Sequence, residues 1–531
     1  MIQDNLFLIL SLLVAISLLT ILSVKLKISY PILLVLAGLV IGLVPGMPVV
    51  SLQPDIVFLI FLPPLLYAAA WNTSWKNFWK SRRAIGLLSI GLVIFTSTAI
   101  AFLSHAIIPN FPLAYGFLLG GIISPPDAVA ATSVLSGLKI PKRVVTILEG
   151  ESLINDASSL IVFRFALASI ITGHFSIWQA TGQFFLVAGA GILIGLLIAY
   201  IIYAVHIYLP TNAGIDTALT LLCPYLMYIA AEHFHYSGVM AVVSGGLFLS
   251  YRSHEIFTYN SRIQAYAVWD TFTFLLNGFV FILIGLQLPQ IVAGLADYSI
   301  WQAIFYGVVI SILTIIIRIV WVFPGAYLPW FLSKRIQQRE PKPKANTVFL
   351  VAWSGMRGVV SLAAALAVPL TLTDGTIFPN RNLLLFITFV VILITLVLQG
   401  LSLSWVIKKL NIAEEPEEDD IELELAIKLQ MAEAALDYLD NNFKQETDTI
   451  DAYKRVKERY ERMAAISYKK IVEGDTDDNG FLPQYRQMLT AIIAVKREVL
   501  KRLRKEHLYS DELIRNKEWE LDLEEARLNE S

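Results

Sequence analysis

The segment GIISPPDAVA, residues 121–130, lies inside an apolar run that extends from about residue 112 to 137. Pro125 and Pro126 lack a backbone N–H, so the carbonyls of Gly121 and Ile122 would lose their helical partners. A break in lipid is tolerated only where the backbone is buried in protein or lines a wet cavity. The freed carbonyls and the Asp127 carboxylate would offer hard oxygen ligands there. The alternative is a proline kink beside a buried, hydrogen-bonded aspartate.

The composition around this segment is that of a membrane protein. Of 531 residues, 56% are hydrophobic and 16% are charged, against roughly 25% charged in an average soluble domain. The net charge of -2 argues against a nucleic-acid partner, which would require a basic surface. The single cysteine, Cys223, rules out an intrachain disulfide and a cysteine metal cluster.

Apolar runs of about 20 residues, the length that crosses a bilayer, divide the chain into two regions. We predict an all-α polytopic membrane domain over residues 1–410 and a helical cytoplasmic tail over 411–531. The predicted spans number about thirteen and lie near residues 6–24, 28–44, 55–71, 84–108, 112–137, 144–172, 178–209, 213–233, 237–250, 268–287, 300–330, 346–372 and 382–410.

The positions of Lys and Arg predict the orientation, because these residues are retained on the cytoplasmic side. Basic residues follow spans one, three, five, nine, eleven and thirteen, as in Lys25 and Lys27, and in Lys408 and Lys409. The opposite connections, such as 44–51 and 109–112, contain neither Lys nor Arg. We therefore expect a multi-pass protein of the cell membrane, with the N-terminus outside and the C-terminus in the cytoplasm.

A second polar cluster, EGESLIND at residues 149–156, opens the sixth span. Glu151 and Asn155 are four residues apart, as are Ser152 and Asp156, so each pair shares a helical face. Ionisable groups at membrane depth are costly and indicate function. Ser152 and Asp156 would form part of a cage for a dehydrated alkali cation. Glu151 and Asn155 are interpreted as supporting residues rather than ligands, with a ligand role as the alternative.

A third cluster, WSGMRG at residues 353–358, lies in the twelfth span. Two glycines flank Arg357 and weaken the helix. A buried guanidinium without a partner is costly, so we predict that Arg357 pairs with Glu151. The alternative is that Arg357 extends to the cytoplasmic surface.

Two further arginines, Arg164 and Arg318, also lie in apolar runs. Their roles are left open between gating and pairing with local carboxylates such as Asp270.

EGESLINDA at residues 149–157, the proline-flanked Asp127 and GMRG at 355–358 together resemble the cation:proton antiporter-1 family, which includes NhaP-type and animal sodium/proton exchangers. The resemblance covers essentially residues 1–410. It implies thirteen spans in two inverted repeats of six, with a core domain that moves against a dimerising domain. In that arrangement the broken fifth and twelfth spans cross near the midplane, as interrupted helices do in inverted-repeat transporters.

The resemblance also implies roles for individual residues. The aspartate matching Asp156 binds the transported ion and the proton. Asp127, Ser152 and a carbonyl just before Asp127, that of Pro126, complete the coordination. Asn155 is associated with electroneutral exchange, whereas relatives with an aspartate there tend to be electrogenic. Pro126 stands where some relatives have threonine, which puts the ion selectivity in question.

The function implied is secondary antiport of Na⁺ for H⁺ across a lipid bilayer by a homodimer, without enzymatic activity or a cofactor. Desolvation disfavours a charged carboxylate, so we expect Asp156 to exchange a proton near neutral pH and to bind a cation in competition with it. The alternatives are K⁺ or Li⁺ as the cation, a K⁺/H⁺ exchanger of the same family, a cation channel and an intramembrane aspartyl protease. No repeated filter loop supports a channel.

The tail begins with an acidic linker at residues 414–420 and continues with apolar residues at helical spacing. A helical domain is predicted, either with a role in regulation or dimer contact or as a solvated tail without such a role.

Overall fold

The structure is a computed structural model that describes residues 2–44, 57–135, 140–173, 177–295, 298–339, 342–372, 376–412, 418–473, 481–505 and 511–530. These residues are helical, apart from turns and one isolated bridge between Thr371 and Ile377. The chain forms two compact units, Met1–Glu414 and Glu415–Ser531. The predicted all-helical fold is confirmed.

Within its described residues the first unit has twenty α-helices, and π-helical turns at Val57–Phe61, Leu87–Leu92 and Thr395–Gln399 adjoin five of them. The first eight α-helices are α1 Ile2–Leu26, α2 Tyr30–Gly42, α3 Leu62–Asn72, α4 Trp75–Gly86, α5 Val93–Ile107, α6 Leu113–Ile123, α7 Ala128–Leu135 and α8 Lys142–Thr172. The next twelve are α9 Ile177–Tyr208, α10 Ala213–His233, α11 Gly238–Tyr251, α12 Ser253–Ile256, α13 Tyr259–Leu286, α14 Leu288–Ala293, α15 Ile300–Leu332, α16 Lys334–Arg339, α17 Ala345–Trp353, α18 Val359–Leu366, α19 Arg381–Ile394 and α20 Gly400–Lys409.

Each predicted span coincides with a helix or an interrupted helix of this unit. Within the described ranges, nine helical segments are long and apolar enough to cross a membrane, and three more are shorter and apolar. Two helices begin at Trp75 and Tyr259, well before the predicted starts near residues 84 and 268. Hydropathy marks only the apolar part of such helices, because Lys and Arg side chains reach back to the polar interface. The number of membrane crossings remains a prediction.

Two hydrophobic clusters form the interior of this unit. The first is built mainly on α2, α5–α8, α13, α15 and α17–α20, and the second on α3 and α9–α11. Helix α8 belongs to both, since Leu148 and Phe163 pack in the first cluster while Leu153 and Ala157 pack in the second. The polar residues of α8 therefore lie at the boundary between the clusters.

The outer surface of the first unit is apolar, as expected of a protein in lipid. Large side chains such as Phe7, Leu193 and Trp301 are 76%, 69% and 79% exposed. The chain is a multi-pass membrane protein.

The second unit contains α21 Glu418–Asn442, α22 Lys444–Thr449, α23 Asp451–Glu473, α24 Phe481–Lys505 and α25 Asp511–Glu530. Ion pairs join its helices. Lys457 donates to Asp440 at 2.6 Å, and this hydrogen bond raises the pKa of the Lys457 ammonium. Arg497 donates to Asp522 and Glu525. Such exposed pairs contribute little each, roughly 0.2–1 kcal/mol, so they align these helices more than they stabilise them.

Candidate ion-binding site

The first helix break lies where the two prolines predict it. Helices α6 and α7 are separated by residues 124–127, and the last helical hydrogen bond of α6 joins the Ser124 N–H to the Gly120 carbonyl. Asp127 Oδ1 accepts from the Val129 N–H at 2.8 Å. The carboxylate therefore caps α7, where the helix dipole favours negative charge.

The second break separates α17 from α18 over residues 354–358 and lies against the first. The Asp127 N–H donates to the Met356 carbonyl at 2.7 Å, so the two extended segments are joined by a backbone hydrogen bond. A Cβ on Gly358 would lie 1.7 Å from Asp127 Oδ2. Only glycine permits this approach. The predicted contact between the two breaks is confirmed.

Arg357 neutralises the carbonyl ends that the breaks expose. Its Nε donates to the Ile123 carbonyl at 2.9 Å and its Nη2 to the Ser124 carbonyl at 3.3 Å, while Nη1 donates to the Gly355 carbonyl. The side chain is 1% exposed. The Arg357 N–H donates to Thr395 Oγ1 at 3.1 Å, at the start of a π-helical turn, a feature frequent at functional sites. A cation at the C-terminal end of α6 is favoured by the helix dipole.

The predicted pair between Arg357 and Glu151 is wrong, because Glu151 pairs with Arg318 instead. Arg318 Nη1 and Nη2 donate to Oε1 and Oε2 of Glu151 at 2.6 and 2.7 Å, and both side chains are 1% exposed. Arg318 also donates to the Val351 carbonyl. The bidentate geometry satisfies both charges. Arg357 needs no carboxylate, since main-chain carbonyls accept from its guanidinium.

Arg164 and Arg318, whose roles the sequence left open, both pair with a carboxylate. The suggested partner Asp270 is wrong for Arg318. Arg164 Nη2 donates to both carboxylate oxygens of Glu232, at 2.9 and 2.8 Å. Of the two roles left open for Arg164 and Arg318, the structure shows pairing with a carboxylate, and in each case the partner is not local but lies on a helix distant in sequence.

The face of α8 that carries Ser152 and Asp156 lies against the first break. Ser152 Oγ accepts from the Ala128 N–H at 3.4 Å, next to Asp127. The Asp156 side chain is 6% exposed, and no described residue forms a hydrogen bond or ion pair with its carboxylate. A nearly buried carboxylate without a protein partner needs a proton or a cation to offset its desolvation.

Asn155 connects α8 to the proline break from the neighbouring face. Its Nδ2 donates to the Pro126 carbonyl at 3.1 Å. Asn155 Oδ1 is buried and has no hydrogen-bond partner. The Pro126 carbonyl keeps one further lone pair, so it can still contribute to a cation site, and the orphaned amide oxygen adds another polar atom close by.

The candidate site contains five residues that were selected from the sequence: Asp127, Ser152, Asp156, Pro126 and Asn155. Glu151 and Arg357 lie nearby, where Glu151 pairs with Arg318 and Arg357 donates to main-chain carbonyls. Two residues of the same region were missed in these roles. Arg318 was assigned no definite partner, and Thr395 was not considered. A buried arginine in an apolar run was the signal available for Arg318, whereas nothing in the sequence indicates Thr395.

Comparisons with known proteins agree with this architecture. Residues 9–409 match the family model described as sodium/hydrogen exchanger, transmembrane. A sodium, potassium, lithium and rubidium/H⁺ antiporter of Bacillus pumilus is 34% identical over 77% of this chain. The chain spans 61% of the length of that relative. An uncharacterized Na⁺/H⁺ exchanger of Mycobacterium tuberculosis is 33% identical over 96% of this chain and 93% of its own length.

A solved structure has the same fold. The sodium proton antiporter MjNhaP1 from Methanocaldococcus jannaschii, determined at pH 8, aligns with a TM-score of 0.62 over 77% of this chain and 99% of its own. The identity is 22%, so this likeness concerns the fold alone.

Proposed function

Because the chain belongs to the sodium/hydrogen exchanger family, a family of transporters and not of enzymes, we propose that it exchanges Na⁺ for H⁺ by competition of the two ions for Asp156. The observation that carries this proposal is the Asp156 carboxylate. It is 6% exposed, has no partner among the described residues, and lies on the face of α8 whose Ser152 contacts the proline break.

The proposed cation ligands are Asp156, Asp127, Ser152 Oγ and the Pro126 carbonyl. Hydrogen bonds across the break support this set, since Ser152 contacts the N–H of Ala128 and Asn155 holds Pro126. Carboxylate, hydroxyl and carbonyl oxygens suit a hard cation. Asn155 is proposed to support the site rather than to titrate.

Exchange follows from the cost of moving a charged, empty site. A proton neutralises Asp156, and a bound Na⁺ neutralises it equally, whereas the empty carboxylate remains charged and expensive to desolvate. If only the two loaded forms reorient, one proton crosses for each Na⁺. With a neutral residue at Asn155, the proposed exchange is electroneutral.

Which cation is transported depends on the distances between the coordinating oxygens of the site. The Bacillus pumilus relative is named for sodium, potassium, lithium and rubidium, which supports testing all of them here. A K⁺/H⁺ exchanger is the second candidate. It rests on Pro126, which stands where some relatives have threonine. The site therefore lacks one hydroxyl oxygen that could coordinate the smaller ion, Na⁺.

The proposed setting is the cell membrane, with residues 1–410 in the bilayer, the N-terminus outside and the C-terminal tail in the cytoplasm. The alternation of basic connections supports this orientation. Two inverted six-helix repeats and a homodimer are proposed from the family resemblance, and the contact between the two helix breaks is consistent with the repeats.

The test uses inverted membrane vesicles with an acidic interior, and follows the internal pH when Na⁺, K⁺ or Li⁺ is added. Wild-type protein should dissipate the gradient, and Asp156→Asn should not. Asp270→Asn, which changes an exposed acidic residue of α13, is the matched control and should behave as wild type. Exchange by a correctly inserted Asp156→Asn protein would refute the proposed site. Cation flux in wild type without proton movement would favour a channel.

A further inference from the structure

An exposed ion pair joins α8 to α10 at the opposite end of α8 from Lys142. Arg164 Nη2 lies 2.9 and 2.8 Å from the two carboxylate oxygens of Glu232, and the side chains are 44% and 30% exposed. Arg164 is eight residues after Asp156, which corresponds to about 12 Å along a helix. The pair therefore lies on one side of the candidate site and at a distance from it.

The two partners belong to different parts of the interior. Arg164 lies on α8, which packs most extensively against α6, a helix of the first hydrophobic cluster. Glu232 lies among helices of the second cluster, and its Oε1 also accepts from the Gly238 N–H at 3.2 Å. Since Gly238 begins α11, the helix dipole helps to hold this carboxylate in place. The ion pair thus bridges the two clusters.

Apolar contacts fill the interval between the site and the ion pair. Ala157 is 3% exposed and packs in the second cluster, and Leu160 packs against both clusters. Helical spacing puts Ala157, Leu160 and Arg164 along one face of α8. Between Asp156 and the ion pair, this face of α8 therefore carries packed apolar side chains.

We propose that Arg164 and Glu232 form a latch that holds the outer entrance closed and opens when the site turns outward. The outer position follows from the predicted orientation, in which Lys142 lies on the cytoplasmic side. The inference rests on the proposed antiport, since alternating access requires the two clusters to shift relative to each other. A shift of α8 relative to α10 would separate the pair, because each helix carries one of its partners.

Removing the latch destabilises the outward-closed state and raises the population of the outward-open state. Arg164→Gln and Glu232→Gln should each lower the apparent KM for external Na⁺ by about two- to fivefold, the range expected of an exposed ion pair. The apparent KM for internal Na⁺ should rise. The charge swap Arg164→Glu with Glu232→Arg should return both values toward wild type.

A matched control is provided by Arg252 and Glu255. Arg252 Nη1 lies 2.7 Å from Glu255 Oε1, with exposures of 42% and 31%, and Glu255 also accepts from Tyr203. Both partners lie within one short segment, so Arg252→Gln should leave both KM values unchanged. Equal shifts in the control and in Arg164→Gln, or no shift in either, would overturn the latch.

A second readout does not depend on exchange. Cys223 is 0% exposed, so a cysteine placed at Leu160 can be labelled from outside with a membrane-impermeant thiol reagent over a low background. Glu232→Gln should speed that labelling about two- to fivefold, as for the KM values, and an unchanged rate would contradict the latch. A further outcome is that labelling responds to Glu232→Gln while neither wild type nor any variant exchanges cations. In that case the proposed function fails and the latch stands.

Discussion

Two faces of α8 carry acidic residues less than two turns apart, and the two carboxylates differ in whether they have a cationic partner. Glu151 is held by both terminal nitrogens of Arg318, and each side chain is 1% exposed. Asp156 is also nearly buried, yet no described side chain neutralises it. Both charges were removed from water, but only one was given a permanent partner. The difference separates a charge that stabilises the fold from a charge that remains available to an ion.

The strongest test of this contrast removes the structural charge. Glu151→Gln leaves the buried Arg318 guanidinium without its carboxylate, which should lower the free energy of unfolding by about 3–5 kcal/mol. Thermal unfolding in detergent measures the loss. The double variant Glu151→Leu with Arg318→Met removes both charges and should recover most of the stability. A single variant as stable as wild type would contradict a structural role for the pair.

A second prediction adds charge beside Asp156. Asn155→Asp introduces another carboxylate at the site, and exchange should then move net charge. One charge driven by 100 mV corresponds to about 2.3 kcal/mol, so exchange by the variant should depend on an imposed membrane potential. Wild type should not respond. Measuring the pH gradient with and without a potassium diffusion potential in valinomycin-treated vesicles separates the two cases, and a potential-insensitive but active variant would refute the role of Asn155.

A third prediction concerns the approach of the two helix breaks. In Gly358→Ala the added Cβ would overlap Asp127 Oδ2, so the backbone segments must move apart. Overpacking of this kind costs about 1–3 kcal/mol, and the apparent affinity for Na⁺ should fall because Asp127 is displaced. Gly86→Ala is the control, since that Cβ meets no atom within 4 Å beyond its chain neighbours and the backbone of its own helix. Equal KM values for Gly358→Ala and wild type would show that Asp127 does not need this position.

The last prediction concerns the pH dependence of wild type. If H⁺ and Na⁺ compete for one carboxylate, each proton added must displace one cation. Below the pH at which Asp156 is half protonated, the apparent KM for Na⁺ should rise about tenfold per unit fall in pH, by proton linkage. The maximal rate at saturating Na⁺ should change less. A KM that stays constant while the rate falls would indicate regulation elsewhere in place of competition.

Much of the site could be predicted because its residues break local rules. Two adjacent prolines and an aspartate in an apolar run predict an interrupted, functional helix without any knowledge of neighbours. The spacing of Ser152 and Asp156 by four residues likewise predicts a shared face. Each of these inferences depends on residues within one or two helical turns. The structure shows the interruption and places Ser152 against it, whereas the function of these residues stays a prediction.

The partners of the buried arginines could not be predicted in the same way. Arg357 and Arg318 both lie in apolar segments, and either is long enough to reach Glu151. The choice depends on how α15 and α17 pack against α8. Arg318 lies next to Gly355, where a Cβ would be 2.2 Å from the Arg318 Cδ, and this contact leads its guanidinium to Glu151. Sequence alone contains no such distance.

The sequence by itself therefore determined the helical membrane fold, the places where two helices break and the carboxylates beside one break. Helix-breaking prolines and charged residues are costly in lipid, so they stand out in an apolar run. Tertiary structure alone decided which charges are neutralised. An ion pair depends on ångström-scale separations between helices distant in the chain, and only the packed arrangement leaves Glu151 with a cationic partner and Asp156 without one.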